Sequence, residues 1–443
     1  MTPPLLIENG TLLSPGERPE VRRAHSILIE DGLIARVAPK KRFARFTGRR
    51  LDATGKVVLP GLINAHTHCY SALARGLTPA RPARDFMGVL RHLWWRLDSA
   101  LTTEDCYTSA LVTLLESIRH GTTTIVDHHA SPQAVAGSLE AIERAVKETG
   151  LRACLCYEVS NRGGVRRARE GLAENVAFIR RCQKEDNRQV AALFGLHASF
   201  TLSDATLEQA AGLGRALQTG FHIHVAEAEA DQEAALRTSG RRVVERLRRF
   251  GILGPQSIAA HCIHVHRREM DLLAETETAV AHNPQSNLNN AVGVADVIEL
   301  ARRGVLVGLG TDAMTTNMLE EVRVALWAQH LARKNPAVGF REVTTALFAH
   351  NAEIAGRIFG LRFGAIAEGC AGDLAIFDYD PPTPLESANA LGHVVFGLAQ
   401  AAVDTTIVAG RVLMENRKLA LNIDVGRVNA RARERARNLW QRL

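Results

Sequence analysis

The pattern of apolar and polar positions changes twice along the chain. Over the first 60 residues, short apolar runs alternate with turn signals. Residues 5–7 precede Asn9-Gly10, and residues 27–29 precede Asp31-Gly32 and a run at 33–37, which predicts short strands joined by tight turns. Runs at 374–377, 406–408 and 411–414, the last two joined at Ala409-Gly410, repeat that texture near the other end. Between them lie eight β-like runs at 57–65, 122–127, 152–159, 190–196, 220–225, 256–260, 278–281 and 304–310. Helical patterns separate these runs, for example at 103–119, 133–147, 205–217 and 294–303. Strands alternating with helices predict a parallel sheet in an α/β fold, and eight βα units over about 250 residues predict a TIM (β/α)8 barrel. Neither terminal β segment offers enough strands for a stable sheet, so the two are expected to fold together as a discontinuous β-sandwich. The predicted division is 1–59 and 367–424 for the two parts of the sandwich, 60–366 for the barrel and 425–443 for a C-terminal amphipathic helix. In that tail, Val425, Val428, Ala432, Ala436, Leu439 and Leu443 form one apolar stripe.

Composition narrows the function classes. Of 443 residues, 46% are hydrophobic and 23% charged, which excludes a disordered or collagen-like chain. The net charge is +7, but the tail carries six arginines against one glutamate, and without it the charge falls to +2. The basic excess therefore belongs to one helix, expected to be a solvated face and not a nucleic-acid groove. No run of 18 apolar residues occurs, and the opening Met1–Glu8 stretch has no basic leader, so neither a membrane span nor a signal peptide is expected. Seven scattered cysteines fit a reducing cytoplasm better than a disulfide framework. Cys154 and Cys156 would share one face of a strand and are expected to be buried small hydrophobes.

Histidine changes the picture. There are 17, more than the 14 phenylalanines, and eleven of them fall at or near the C-terminal ends of the predicted strands, where barrels of this kind place their chemistry. The ends read, in order, His66 and His68; Asp127-His128-His129; Glu158; His197; His224 with Glu227 beyond; His261; His282-Asn283; and Thr311-Asp312. His66 and His68 are one residue apart, so on a strand both imidazoles project to one side, a clamp for a divalent metal. A third imidazole and a carboxylate would complete a site with room for water, the arrangement of catalytic zinc, and His224 and Asp312 are the candidates. His222 shares a face with His224 and is its rival; His264 and His266 rival His261.

These residues carry a resemblance. Pro60-Gly61-Leu62-Ile63-Asn64-Ala65-His66-Thr67-His68 resembles the opening motif of the amidohydrolase superfamily. His222-Ile223-His224-Val225-Ala226-Glu227, Ala260-His261-Cys262, His282-Asn283-Pro284-Gln285-Ser286-Asn287-Leu288, Gly310-Thr311-Asp312 and Glu368-Gly369-Cys370-Ala371-Gly372-Asp373-Leu374 follow in order. The set is similar to the metal-dependent aminohydrolase branch that acts on guanine, S-adenosylhomocysteine and chlorotriazines. Leu93-Trp94-Trp95-Arg96-Leu97-Asp98 and Asp127-His128-His129-Ala130-Ser131-Pro132 most resemble its SsnA-type members. The resemblance implies one divalent ion, zinc first and iron as the alternative, on His66, His68, His224 and Asp312. The superfamily's two-metal members use a carboxylated lysine on strand four; His197 stands there, which implies a mononuclear site. It further implies a catalytic set in which Asp312 accepts a proton from water, Glu227 protonates the ring nitrogen, and His261 polarises the water or the developing oxyanion. His197 and His282 would line the substrate pocket.

The implied activity is hydrolytic deamination of a small N-heterocycle. Hydrolysis of a cyclic amide, attack on a halogenated heterocycle and a non-catalytic scaffold are the alternatives. His197-Ala198-Ser199-Phe200 replaces the branch's usual His-Ala-Pro-Tyr, so a tyrosine hydroxyl contact is missing. His128 and His129 would touch substrate or a second ion, or serve the fold. Trp94 and Trp95 would stack on a flat ring or fill the core. Arg96 and Arg162 would meet an anionic group, with solvation at the surface the expected outcome. The expected partner is a small-molecule heterocycle, with no nucleic acid and no membrane; a homodimer is implied by analogy only.

Overall fold

The apolar run 57–65 does not form one strand. It breaks at Gly61, and its halves join different sheets. Val57–Pro60 pairs antiparallel with Leu374–Asp378 and parallel with Thr11–Ser14, whereas Leu62–Thr67 pairs parallel with Thr122–Asp127. Gly61 sits where a side chain cannot, since a Cβ there would lie 2.2 Å from Thr123 Oγ1. The run 190–196 breaks likewise, at Leu193, into Val190–Ala192 and Phe194–Ala198. The computed structural model describes residues 3–16, 18–79, 81–185 and 188–443; Met1 and Thr2, where the first predicted β segment begins, lie outside the described residues.

The central strands form two parallel sheets. One holds Leu62–Thr67, Thr122–Asp127, Arg152–Leu155 and Val190–Ala192; the other holds Phe194–Ala198, Phe221–Val225, Ile258–His261, Ala279–His282 and Val307–Leu309. Most of these strands are buried along their whole length, as strands covered on both faces must be. Helices Thr103–Arg119, Asp204–Ala216 and Val297–Arg302 lie close to the predicted spans. The helix expected from residue 133 begins later, at Ser138–Thr149, because Gly137 adopts a left-handed conformation (φ 77°) and Glu174 accepts the N–H groups of Gly137 and Leu139.

The two sheets meet at both edges. At one, Thr67 bridges to Asp312, and the His66 carbonyl accepts from the N–H groups of Thr311 and Asp312. At the other, Val159 bridges to Leu196. A buried asparagine fastens each seam. Asn351 donates to the carbonyls of Ile63 (2.6 Å) and Leu309 (2.9 Å) and accepts from Leu309 N–H (2.8 Å). Asn175 accepts from Tyr157 N–H (2.9 Å) and donates to the carbonyls of Tyr157 (2.8 Å) and Gly195 (3.2 Å).

Strands from the two ends of the chain pair with one another. Leu5–Glu8, His25–Glu30, Leu33–Pro39 and Arg49–Asp52 form a four-stranded sheet. Thr11–Ser14, Glu20–Arg22 and Val57–Pro60 join Leu374–Asp378, Ala402–Val408, Arg411–Glu415 and Lys418–Leu419 in a seven-stranded one. Ile7, Ile27, Ile29, Val58, Ile376 and Ile407 from both sheets share one apolar cluster. Thr11–Ser14, Glu20–Arg22, Arg49–Asp52 and Lys418–Leu419 were not predicted; each has four residues or fewer, too short for alternation to register.

The tail helix, Val425–Trp440, turns its apolar stripe inward, with Leu439 wholly buried. Its arginines are not all solvated. Arg435 and Arg442 hold the wholly buried Asp105 at 2.7 and 2.5 Å, Arg431 pairs with Glu104, and Trp440 Nε1–H donates to the Leu73 carbonyl at 2.8 Å. Among the described residues no helix is long and apolar enough to cross a membrane.

Asn351→Leu keeps the side-chain branching but removes three hydrogen bonds in a wholly buried setting. At about 1 kcal/mol each, the variant is expected to lose about 3 kcal/mol, read as a lower urea midpoint; an unchanged midpoint would show that the seam does not depend on this amide.

Candidate functional site

Strands of both sheets end at one place. Alternation along Leu62–Thr67 sends His66 and His68 to the same side, where their Nε2 atoms lie 3.9 and 3.0 Å from one oxygen, Oδ1 of Asp312. His224, at the end of Phe221–Val225, brings its Nε2 to 3.2 Å from that of His68. The structure thus gathers the four residues expected to bind metal, two from the first sheet and two from the second.

What lies behind the rings decides which nitrogen faces inward. His224 Nδ1 lies 2.9 Å from the His197 carbonyl, and His68 Nδ1 is bonded to the His128 carbonyl with Glu158 Oε1 at 3.2 Å. A carbonyl only accepts, so Nδ1 of both carries a proton, and Nε2 is the nitrogen left to face inward. His66 Nδ1 is held by His222 Nε2 at 2.8 Å. His222, the rival of His224, is therefore occupied by His66, and its other nitrogen lies 3.7 Å from Cys156 Sγ. The rivals of His261 are occupied too: His264 Nε2 bonds the Val292 carbonyl at 2.8 Å, and His266 caps the helix Arg267–Glu275.

The fit to a metal ion can be tested on this arrangement. His66 Nε2 and His261 Nε2 are buried with no hydrogen-bond partner, which costs about 1–3 kcal/mol each unless something else engages them. Donor atoms of His66, His68, His128 and His224 lie within 4.8 Å of one another, as do those of His66, His261 and Asp312. Burial and the neighbouring His68 keep His66 well below the ordinary imidazole range, hence neutral and able to ligate. Burial would raise Asp312, but the hydrogen bond and charge of His68 outweigh it and hold the carboxyl well below the usual range. Burial would lower His68, but Asp312 and Glu158 outweigh it and raise the ring well above the ordinary imidazole range, so its Nε2 would give up a proton to a bound cation. Inward imidazole nitrogens around an ionised carboxylate are a donor set for such an ion.

Asp312 is held on its other oxygen by Ser286 Oγ at 2.5 Å, and His261 Nδ1 is held by Asn287 Oδ1 at 2.8 Å. His261 Nε2 lies 3.6 Å from Glu227 and 3.7 Å from Asp312. Burial, reinforced by Asp312, pushes Glu227 up to about 8. Ala226, His261, Cys262 and Asp312 all have positive φ (48°, 74°, 50° and 52°). Such left-handed conformations cost about 1–3 kcal/mol in non-glycine residues and cluster where side chains must be aimed.

The amidohydrolase family pattern matches residues 57–413. The chain belongs to that family. It is 32% identical to a 5-methylthioadenosine/S-adenosylhomocysteine deaminase of Pelotomaculum thermopropionicum, covering 99% of both chains. It is 33% identical to a 5'-deoxyadenosine deaminase of Methanothermobacter thermautotrophicus, covering 94% of both. Among solved structures it resembles an adenosine deaminase from Xanthomonas campestris with bound zinc, at TM-score 0.87 and 25% identity over 99% of both chains.

In this amidohydrolase a pocket of about 630 Å³, its mouth included, opens above the site. Its outer wall comes from residues 86–100, where a π-helical turn at Leu90–Trp94 brings Leu90, Trp94, Trp95 and Asp98 to the lining. Such turns widen a helix locally and recur at functional sites. His197 and Phe200 also line the pocket, and the ring at position 200 presents no hydroxyl. His128, His129 and His282 do not line the pocket, contrary to their assignment as substrate contacts. His128 stacks on His222 at 4.3 Å, His129 bonds Ser131 at 2.9 Å, and His282 is wholly buried. Arg162 is not solvated: it pairs with Asp98 at 2.5 Å and lies 5.0 Å from the Trp95 ring centre, while Arg96 is exposed. Tyr70, Asp98 and Asp231, none of them assigned from sequence, also line the pocket.

Burial raises Asp98 to about 6 even though Arg162 opposes the shift. A raised carboxyl contributes stability at low pH that is lost as pH climbs through the folded-state value. Arg162→Met removes the opposing charge, so the variant is expected to melt nearer to wild type at pH 5 than at pH 8. An equal shift in melting temperature at both pH values would refute the pairing.

Proposed function

We propose that this amidohydrolase hydrolyses the exocyclic amino group of a small N-heterocycle, releasing ammonia, with one divalent metal ion, zinc first, held by His66, His68, His224 and Asp312. The observation that carries it is the convergence of the His66 and His68 Nε2 atoms on one Asp312 oxygen, with His224 Nε2 3.2 Å from that of His68 and each Nδ1 already engaged behind. The relatives named as deaminases of adenosine-like compounds, and the zinc in the adenosine deaminase structure, support it.

When bound, zinc makes a nucleophile available at neutral pH by lowering the pKa of water from 15.7 to about 7. Asp312 accepts the proton that the attacking water loses. Glu227, pushed up to about 8 and so protonated at neutral pH, donates to the ring nitrogen beside the carbon under attack. His261, its Nδ1 fixed by Asn287, points a free Nε2 between Glu227 and Asp312 and polarises the attacking oxygen. The new C–O bond forms, the C–N bond breaks, and the amino group leaves as ammonia once it has gained a proton. His197, Trp94 and Trp95 flank the ring.

In this reading the two parallel sheets are arcs of a single (β/α)8 barrel over residues 60–366, supported by the bridges at both seams. The sheets of 1–59 and 367–424 pack as a discontinuous β-sandwich, supported by their shared apolar cluster, and 425–443 docks as the tail helix. Seven free, scattered thiols support a cytoplasmic setting.

An ammonia-release screen over adenosine-like nucleosides, purines, pyrimidines, pterins and triazines tests the reaction; silence from the zinc-loaded protein across that panel would refute it. Chelation is expected to abolish release and added zinc to restore it. Glu227→Gln is expected to keep its zinc, measured by elemental analysis, while kcat falls by about 10²–10⁴-fold; full turnover in that variant would remove Glu227 from the proton path.

A further inference from the structure

Apart from its histidines, the ionisable side chains that line the pocket are all acidic. Asp98, Glu158, Glu227, Asp231 and Asp312 line it, and among the described residues no lysine or arginine does. The nearest guanidinium, Arg162, lies behind the wall. Its side chain is 15% exposed, its charge is matched by Asp98 at 2.5 Å, and it faces the Trp95 ring. Asp98 is held further by the Ser99 hydroxyl at 3.0 Å. At the other end, Asp312 and Glu158 flank His68 and together balance a divalent ion. No positive charge is left over for a ligand. The remaining wall toward the mouth is apolar or aromatic: Phe86, Leu90, Trp94, Trp95 and Phe200 pack as one cluster there.

An anionic substituent in this pocket would be desolvated without a partner and would face carboxylates. Burying an unpaired charge is strongly unfavourable, and like charges brought together add several kcal/mol. A flat ring with N–H groups, by contrast, meets acceptors on the inner wall and aromatic faces on the outer one.

We propose that the pocket selects amino-bearing rings whose other substituents are uncharged, and rejects those that a carboxylate or phosphate makes anionic. This rests on the deaminase reading and deepens it. Of the compounds in the relatives' names, 5-methylthioadenosine and 5'-deoxyadenosine belong to the accepted class. S-adenosylhomocysteine is a zwitterion, its ammonium accompanying the carboxylate, and belongs to neither class.

Matched pairs with one ring and two charges test the idea on the zinc-loaded wild-type protein. Ammonia release is compared for adenosine against adenosine 5'-carboxylic acid, and for 5'-deoxyadenosine against adenosine 5'-monophosphate. Binding is measured separately by calorimetry with purine riboside, which lacks the leaving amino group, against its 5'-monophosphate. The uncharged member of each pair is expected to be favoured by about 100-fold or more in kcat/KM and in Kd. Equal values, preference for the anionic member, or no binding of purine riboside would overturn the inference. If no compound releases ammonia but purine riboside still binds about 100-fold more tightly than its monophosphate, the charge selection stands and the deaminase reading falls.

Discussion

Two buried amide side chains hold the working centre together from outside it. Asn351 ties the first strand of one parallel sheet to the last strand of the other, and Asn175 ties the opposite edges. The site draws His66, His68 and Glu158 from one sheet and His197, His224 and Asp312 from the other, so it exists only where those edges meet. A carboxamide suits the position because one side chain donates and accepts at once, satisfying strand-edge groups that have no strand beside them. An aliphatic residue would fill the space and leave the edges unjoined.

Within that frame, the inner face is set by what the imidazoles do on their outer face. A buried neutral imidazole has one donor and one acceptor nitrogen, and fixing the donor fixes the other. The carbonyls of His197 and His128 fix His224 and His68, and each carbonyl lies at the end of a neighbouring strand. Outer partners of this kind both orient ligands and raise their basicity. His222 serves the same purpose for His66. An abundance of histidine that resembles redundancy in the sequence is therefore a division of labour: some rings face the centre, and others hold those that do.

That division explains what the sequence could and could not disclose. Alternation gives direction within a strand, so His66 and His68 were readable as a clamp. Position at a strand end gives depth but not direction, so His282 was read onto the pocket wall and His128 and His129 stayed open between substrate, a second ion and the fold, although none of the three lines the pocket. The runs at 57–65 and 190–196 read as single strands because apolar pattern is continuous through Gly61 and Leu193; only the close approach of Thr123 and the change of partner strand divide them. Asp98 and Arg162 stand 64 residues apart, and nothing local links them. Ser286 and Asn287 belong to a recognisable motif, yet their roles toward Asp312 and His261 are purely spatial.

The basic tail shows how a remote feature reaches the centre. Its charge suggested a solvated face, but a helix that buries an apolar stripe brings neighbouring arginines against the surface it covers. That surface is the helix Thr103–Arg119, whose Asp105 is wholly buried and would be an uncompensated charge without Arg435 and Arg442. From the same helix, Ser109 donates to the carbonyl of Cys69 at 2.7 Å, while the Cys69 N–H donates to Asp127 at 2.7 Å. Trp440 fixes Leu73 in the same segment. Cys69 directly follows His68, so the chain leaving that ring is clamped on both its polar groups and braced from behind. The arginines act on the site by keeping its support neutral and packed, which is why a charge pattern that points to no ligand still belongs to the chemistry.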